Sequence, residues 1–454
     1  MSRDNAHLSL GTEQVGKLLT QYAVPAIIAM TAASLYNITD SIFIGHIGPE
    51  TGPLALSGLG ITFPVMNLAA AFGALVGVGG AALLSLRLGQ KDYVAANNIL
   101  GNVLVLNLIL GISFSLVALI FLEPLLRFFG ASDQTLPYAY DFMFIILAGN
   151  VVIHMYMGMN ALLRSAGHPR RSMFATIYTV LINIVLNPLF IFGFGWGIKG
   201  SATATVISQF LVLLWQFKFF TDKNNFLHIK KGIFRLRREI TGGIFSIGLA
   251  PFLMNAAACV IVVLINRGLL TYGEDLAVGA YGIVNRVAFL FIMIVMGINQ
   301  GMQPIAGYNY GAALYPRVGE VLRKSIFIAT AVLTLGFVLI ESFPHAVAAV
   351  FTSDDKLTDL AVMGLRYVFI SYPIVGFQMV VSTFFQSIGM AKKAIFLSLT
   401  RQVLFLIPLL LILPAQLGIS GVWLSMPIAD SVSALVSALL LIVQYRQFKA
   451  RDVR

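Results

Sequence analysis

Residues 97–121 read NNILGNVLVLNLILGISFSLVALIF and carry no charged side chain. A helix of ~20 residues crosses the hydrocarbon core of a bilayer, so this run is long enough for one transmembrane span. A strand of a membrane β-barrel would alternate polar and apolar residues, and this run does not. Eleven similar runs flank it. Together they predict an all-α integral membrane protein with twelve transmembrane helices, at 18–45, 55–85, 97–121, 138–163, 173–194, 199–220, 244–270, 276–306, 322–343, 363–388, 394–414 and 418–444.

The composition of the chain agrees with this fold class. Of the 454 residues 58% are hydrophobic and 11% are charged, whereas soluble domains carry about 25% charged residues. A water-soluble fold is therefore excluded. The single cysteine, Cys259, lies within an apolar run and forms no intramolecular disulfide. The first apolar run does not resemble a cleaved signal peptide, so we expect it to remain as the first span.

Lysine and arginine are distributed unevenly between alternate loops. The side that holds both termini carries 23 of these residues, and the opposite loops carry four. Because basic loops stay in the cytoplasm, both termini are predicted to be cytoplasmic. The net charge of +11 then reflects topology and contact with anionic lipids rather than nucleic-acid binding.

The two halves of the chain repeat each other at a shift of about 222 residues. Residues 163–167, LRSAG, match residues 385–389, FQSIG, for example. Each half holds six spans, so both halves enter the membrane in the same direction. We expect an N-lobe at 1–228 and a C-lobe at 229–454, related by a pseudo-two-fold axis along the membrane normal. Two such lobes around a cleft are typical of alternating access, and no filter-like loop favours a channel.

Polar residues within the first-half spans form one candidate site. Asp40, Asn187 and Thr205 lie at a similar depth, and Tyr36 and Asn183 each lie one helical turn from a member of this group. A carboxylate among neutral oxygens suits a proton or a hard cation such as Na⁺. The three neutral residues could instead be interhelical hydrogen bonds alone, but an ionisable residue within the membrane indicates function. The second-half counterparts, Asn266, Phe405, Leu409 and Met426, do not repeat this cluster.

The second half carries its own charged residues within spans. Arg286 and Asp430 lie at similar depths, which predicts a buried ion pair between them, and Arg401 lies in the next-to-last span. We interpret these charged side chains as structural: they pair with each other, or they extend along the helix so that the charged group reaches the membrane surface. Methionines suit a cavity for flat apolar cations, although packing is an alternative role for them; the clustered methionines are Met155, Met157, Met159, Met293, Met296 and Met302.

Several motifs resemble the multidrug and toxic compound extrusion family over nearly the whole chain, in its bacterial and archaeal branch with DinF-like and MepA-like exporters. They are YNITDSIFIG at 36–45, LRSAGHP at 163–169, NIVLNPLFIFG at 183–193 and GSATAT at 200–205. The resemblance implies a multidrug efflux antiporter of the bacterial inner membrane, driven by H⁺ or Na⁺, with Asp40, Asn183, Asn187 and Thr205 lining the cation-coupled cavity. Members of this branch often carry a second Asp at the position of Asn187, and its absence favours single-proton coupling.

Two other functions were weighed. Intramembrane enzymes need aspartate-rich diphosphate motifs or paired catalytic residues, and the sequence contains neither, so we expect no catalytic residue and no cofactor beyond the coupling ion, with Na⁺ at Asp40 as the one metal considered. A flippase for lipid-linked precursors shares the wider fold and is the alternative function. Its relatives usually have extra helices and an arginine-rich cavity. We therefore expect a monomer that handles small organic cations among membrane lipids.

Overall fold

The computed structural model describes residues 3–352 and 354–452, and the regular structure in these residues is helical, with no strand. Ten helices are long and apolar enough to cross a membrane, and two bent pairs bring the number to twelve. The spans are α1 Val15–Gly45, α2 Thr51–Gly89, α3 Tyr93–Ile120, α4 Leu136–Ala148 with Asn150–Ser165, α5 Pro169–Gly193, α6 Ile198–Thr221, α7 Arg238–Gly273, α8 Leu276–Gly311, α9 Tyr315–Ser342, α10 Asp355–Phe369 with Tyr372–Ser387, α11 Ala391–Leu417 and α12 Ile419–Gln447.

The predicted spans are confirmed in number and order, and the observed helices are longer at several ends. The second span extends to Gly89 rather than residue 85, and the ninth begins at Tyr315 rather than residue 322. Apolar runs mark only the part of a helix that lies in hydrocarbon, whereas the helix continues into the polar interface. Pro316 in the first turn of α9 suits such a start, because its missing N–H would have no intrahelical partner there.

The two bent helices occupy equivalent places in the two halves. The two parts of α4 meet at Gly149 at an angle of 56°, and the two parts of α10 meet at Ile370 and Ser371 at 51°. Position 371 is 222 residues after position 149, which is the shift that relates the two halves of the sequence. The repeat in the sequence therefore extends to a repeated irregularity in the fold.

Helical hydrogen bonding is continuous from Arg238 to Gly311, although this segment contains both α7 and α8. A straight helix of that length would extend about 110 Å. Both ends instead lie against α2: the backbone of Ile244 contacts Gly79, and that of Tyr308 contacts Gly89. Because these two positions on α2 are only about 15 Å apart, the segment folds back on itself between α7 and α8.

Close contacts between glycines and backbone join the two halves. Gly248 of α7 lies directly on the backbone of Leu75 of α2, and Gly301 of α8 lies on that of Ala23 of α1. A side chain at either glycine would overlap the opposite helix. These contacts lie toward the side of the molecule that holds the termini, so the halves are closed against each other on that side.

Residues Arg3–Thr12, which we call the N-terminal strap, cross from one half to the other. The buried His7 ring lies 4.3 Å from the Phe226 ring of the connector between α6 and α7. At the other end of the strap, the Leu10 carbonyl accepts hydrogen bonds from Asn309 of α8 (2.9 Å) and Arg317 of α9 (3.2 Å). The strap therefore adds a second link between the halves on the closed side.

The connector that follows α6 is held to the first half by two buried asparagines of α3. Asn97 donates to the Phe226 carbonyl at 3.2 Å, and Asn102 donates to the Arg235 carbonyl at 3.1 Å and accepts from the Arg237 N–H at 3.0 Å. The predicted boundary at 228/229 falls within this anchored connector.

Candidate functional site

The first span presents two different faces. Leu35, Ile38 and Ile42 are more than half exposed on one face, as suits contact with lipid, whereas the Asp40 side chain is buried with 8% of its surface exposed. A carboxylate inside a membrane bundle is costly and needs partners. Tyr36 lies one turn before Asp40 on the same side of the helix, so α1 presents a hydroxyl and a carboxyl to the interior of the first half.

The partners of Asp40 come from α1 and α5. Asn187 donates its amide hydrogen to Asp40 Oδ1, and the Tyr36 hydroxyl lies beside the carboxyl. In one orientation of the Asn183 side chain, both of its polar atoms have hydrogen-bond partners. Its nitrogen then donates to Asp40 Oδ1 at 3.2 Å, and its oxygen accepts from the Thr205 N–H at 3.3 Å. Two amide donors of α5 and the Tyr36 hydroxyl of α1 therefore surround the carboxylate.

Helix α6 closes this cluster. The Thr205 hydroxyl lies 2.7 Å from the Tyr36 hydroxyl and donates to the Ser201 carbonyl at 3.1 Å. Asn183, Asn187, Ser201 and Thr205 are all buried. The structure thus brings the five predicted residues, Tyr36, Asp40, Asn183, Asn187 and Thr205, into one hydrogen-bonded group.

Irregular helix geometry adjoins the cluster. The α-helical part of α5 ends at Pro188, directly after Asn187, and continues as one π-helical turn, Leu189–Gly193. Proline lacks an N–H and removes one backbone hydrogen bond, and π-helical turns occur frequently at functional sites. The change from α-helical to π-helical geometry therefore occurs at Pro188, directly after Asn187.

The cluster can hold one small cation through a single carboxylate and neutral oxygens. The Oδ1 atom of Asn187 and the hydroxyl of Ser201 are buried without a hydrogen-bond partner. No group of three acidic, histidine or cysteine side chains that could hold a metal occurs among residues 3–352 and 354–452. Asn187 turns its nitrogen, not its oxygen, toward Asp40, so a Na⁺ ion at the carboxylate would require this amide to turn. A proton on Asp40 requires no such ligand.

The ion pair predicted in the second half is formed by a different arginine. Asp430 accepts from Arg401 Nε at 2.6 Å and from the Ser371 hydroxyl at 2.9 Å. Arg286 is wrong as the partner, because its side chain lies on the exposed face of α8 while Asp430 is buried inside the bundle. Equal depth along two helices did not imply facing side chains.

The methionines do not share one surface. Met159 and Met302 are fully buried in the apolar core, Met157 is 37% exposed on another face of α4, and three others are half-buried: Met155, Met293 and Met296. Residues two apart on a helix point about 200° apart, so Met157 cannot line the same surface as its neighbours. Met159 packs in the core in this structure rather than lining a surface.

Sequence reasoning missed several polar residues below the cluster on α4 and α5. Tyr156 is buried, and its hydroxyl lies beside Thr179 and Thr176. The signal that could have revealed them is helical spacing, because Ser172, Thr176, Thr179, Asn183 and Asn187 recur at intervals of three and four residues.

Comparison with known proteins supports the fold and the repeat. The sequence profile of the MatE family matches residues 25–189 and 247–412, so the family unit occurs twice, and the second copy begins 222 residues after the first. The multidrug export protein MepA of Staphylococcus haemolyticus is 26% identical over 421 residues, which cover 93% of this chain and 92% of that protein. MepA of Staphylococcus aureus strain MRSA252 is 26% identical over 426 residues, covering 94% and 93%.

Solved structures agree over the full length. An outward-facing multidrug resistance MATE family transporter of the MOP superfamily superposes with a TM-score of 0.91 and 27% identity, covering 97% of this chain and 98% of that one. A MATE transporter in the bent conformation superposes with a TM-score of 0.92 and 26% identity, covering 99% of both chains. The predicted two-lobe, twelve-span fold and the predicted family are thereby confirmed, and the chain belongs to the MatE family of multidrug and toxic compound extrusion transporters.

Proposed function

We propose that this protein is a secondary active multidrug efflux transporter that exports amphipathic organic cations in antiport with H⁺ or Na⁺, and that H⁺ is the better fit. The observation that carries the proposal is the buried Asp40 carboxyl with amide donors from Asn183 and Asn187 and the Tyr36 hydroxyl beside it, in a chain similar to multidrug export proteins. The fold alone does not require this cluster, because the second half lacks it.

Protonation of Asp40 is the proposed coupling event. An ionised carboxylate accepts from all of its donors, whereas a protonated carboxyl has one oxygen that donates instead. Asp40 lies on α1, its amide donors lie on α5, and the neighbouring Tyr36 contacts Thr205 of α6. A change at Asp40 therefore alters how three helices pack. A ligand shifts a conformational equilibrium only by its different affinity for the two states. Asp40 supplies that difference for the proton.

Alternating access would then follow from the two lobes. The close contacts of Gly248 and Gly301 and the N-terminal strap close the side that holds the termini. We place that side in the cytoplasm, in accord with the basic loops, so the described conformation would open outward. Proton binding from outside favours release of substrate on that side. Return of the lobes to an inward-open state releases the proton.

The single carboxylate sets the expected stoichiometry at one cation in for each substrate out. Exchange of one proton for one monovalent organic cation moves no net charge. The membrane potential, otherwise worth roughly 2.3 kcal/mol per charge per 100 mV, would then contribute nothing to export. We further propose that the transporter acts as a monomer in a bacterial cytoplasmic membrane, with lobes near 1–228 and 229–454 and with the half-buried Met155, Met293 and Met296 near the substrate path.

Purified protein in proteoliposomes tests this function. With a fluorescent organic cation such as ethidium as substrate, an imposed pH gradient should drive accumulation against its concentration gradient at zero membrane potential. A Na⁺ gradient at equal pH should drive less. Absence of accumulation under both gradients, with the protein folded and correctly inserted, would rule out the proposal.

Orientation has its own test. Single cysteines at Ser132 and Asn224, introduced with Cys259 replaced by serine, lie at exposed positions on opposite sides of the bundle. In intact cells an impermeant maleimide should label the first and spare the second. The reverse pattern would place the termini outside.

A further inference from the structure

A buried polar stripe extends along α5 from its first turn to the Asp40 cluster. Its members are spaced so that they share one face of the helix. They extend over about 22 Å, most of the thickness of a bilayer core. The stripe consists of Ser172, Thr176, Thr179, Asn183 and Asn187.

Helix α4 carries a second stripe that faces the first, made of Tyr156, Asn160 and Arg164 at four-residue spacing. Asn160 donates to the Thr176 hydroxyl at 3.1 Å, and Arg164 donates to the Ser172 hydroxyl at 3.0 Å. Together the two stripes form a continuous set of polar groups, which we call the polar column. It begins at Asp40 and ends near the side of the molecule that holds the termini.

Tyr156 joins the column to the Asp40 cluster. Its hydroxyl lies beside Thr179 and Thr176 of α5, between Tyr36 of the cluster and Arg164 at the far end of the column. Tyr36 in turn contacts both Asp40 and Thr205. Hydroxyl groups can donate and accept a hydrogen bond at the same time, so they can pass a proton along, directly or through water.

The column is polar where a core would be expected to be apolar. Asn160 and Tyr156 are each 8% exposed, and the Oδ1 atom of Asn160 is buried without a hydrogen-bond partner. A buried acceptor of this kind is where an internal water binds, because it costs free energy when it is left unsatisfied. An intramembrane polar chain of this length indicates an ion or proton pathway by default.

Residues 222 positions later show which polar positions of the column recur in the second half and which occur only in the first. Ser382 and Ser398, 222 residues after Asn160 and Thr176, form the equivalent hydrogen bond at 3.2 Å. Tyr156, Arg164 and Thr179 also have polar counterparts, Gln378, Gln386 and Arg401, whereas Ser172, Asn183 and Asn187 are replaced by Ala394, Phe405 and Leu409. The second half therefore lacks the two asparagines that link the column to a carboxylate in the first half, and the serine of the first turn.

We propose that the polar column is the route by which the proton leaves Asp40 toward the side that holds the termini, separate from the path of the substrate through the cleft. This inference rests on the proposed antiport function. The O–H bond at Asp40 breaks, and the proton passes through the Tyr36 and Tyr156 hydroxyls and the threonine and serine hydroxyls with bound water. From Ser172, which is buried in the first turn of α5, the proton leaves to solvent through bound water, and each hydroxyl regains a proton as it gives one up.

Arg164 lies at the exit of this route, where it donates to Ser172 and limits the passage of protons. No carboxylate lies within ion-pair distance of its guanidinium in the described part of the chain. An uncompensated positive charge in a narrow polar passage raises the free energy of a cation there, as arginines do in selective pores. It would limit leak of protons when no substrate is transported. The charged and titratable groups along the column are Asp40, Tyr36, Tyr156 and Arg164, and His168, Arg170 and Arg171 adjoin its end beside Ser172.

The test compares Tyr156→Phe with Ser382→Ala. The first removes only the linking hydroxyl, and the second removes the second-half hydrogen bond that is equivalent to the bond between Asn160 and Thr176. In proteoliposomes Tyr156→Phe should slow transport driven by a pH gradient by about tenfold or more. It should leave substrate binding and substrate-for-substrate exchange at wild-type levels, because exchange requires no net proton transfer. Ser382→Ala should leave all three unchanged. Thr179→Val removes the same link from α5 and repeats the test if Tyr156→Phe does not fold.

Each outcome decides the inference. The proposed route is overturned if Tyr156→Phe and Thr179→Val both show wild-type rates of pH-driven transport. It is also overturned if Ser382→Ala loses as much pH-driven transport as Tyr156→Phe. If Asp40→Asn also transports at the wild-type rate, the proposed coupling function fails. If Asp40→Asn is inactive while Tyr156→Phe is normal, only the route fails. Arg164→Gln, which introduces the residue found in the second half, should increase proton leak without substrate, and an unchanged leak would remove Arg164 from the route.

Discussion

The hydroxyl of Tyr36 lies 2.7 Å from the hydroxyl of Thr205, so α1 and α6 are joined directly beside Asp40. Thr205→Val keeps the shape of the side chain and removes this bond. It leaves a buried Tyr36 hydroxyl without one partner, at a cost of about 1–3 kcal/mol. We expect normal substrate binding and slower pH-driven transport in proteoliposomes. The matched control is Thr203→Val on the same helix, whose hydroxyl bonds only to the Lys199 carbonyl. Equal effects of the two substitutions would contradict a role for the Tyr36–Thr205 contact.

A second prediction concerns the choice of coupling ion. Asn187 presents an amide donor to Asp40, and a Na⁺ ion there would require more oxygen ligands. Asn187→Asp supplies a second carboxylate at the same place. We expect transport by this variant to depend on Na⁺ at constant pH, while transport by the wild type does not. Transport by Asn187→Asp that is equally insensitive to Na⁺ would show that residue 187 does not select the ion.

The third prediction concerns closure by the N-terminal strap. Arg317 donates to the carbonyls of Leu10 at 3.2 Å and Glu13 at 2.5 Å, which holds the strap on the second half. In a background with Cys259→Ser, a cysteine at the buried position Leu10 should react slowly with maleimide. Adding Arg317→Ala should speed its labelling, because the strap is released more often. Arg323→Ala, which removes an exposed arginine of the same helix, should not. Equal labelling in all three proteins would argue against the strap as a closing contact.

The fourth prediction concerns the ion pair between Arg401 and Asp430. Arg401→Gln alone leaves a buried carboxylate with Ser371 as its remaining donor. We expect a loss of about 3 kcal/mol in stability, at the low end for breaking a buried pair because Arg401 is partly exposed. The double variant Arg401→Gln with Asp430→Asn should recover most of it. Thermal unfolding in detergent measures both, and a single variant as stable as the wild type would show that the pair contributes little.

Much of this architecture could be predicted from the sequence because a membrane imposes a simple rule: a span needs about 20 apolar residues. That rule located every span but not the short helices Leu122–Phe128 and Pro344–Ala349, and the internal repeat indicated the two halves. The cluster around Asp40 was also predictable, because a charge inside an apolar run stands out. The bend at Gly149 was not predicted, since no charge or internal proline marks it. The bend at Ser371 directly precedes Tyr372-Pro373, so a proline inside the predicted span 363–388 could have indicated it.

Facing side chains were harder to predict than positions along a helix. Asp430 was paired with Arg286 from depth alone, but depth says nothing about the direction in which a side chain points from its helix. The pair with Arg401 depends on the packing of α11 against α12. Neutral residues such as Tyr156 and Asn160 raised no signal by themselves. Their arrangement opposite the α5 stripe emerges only when two helices are placed together.

The central claim, that Asp40 couples cation entry to export, is tested most directly by Asp40→Asn in proteoliposomes. Asparagine keeps the size of the side chain but cannot carry the proton. If Asp40 is the coupling group, the variant folds, binds a fluorescent organic cation and exchanges it across the membrane. It does not accumulate the cation when a pH or Na⁺ gradient is imposed. Accumulation by Asp40→Asn at the wild-type rate under either gradient would contradict the account and direct the search for the coupling group to Asp430.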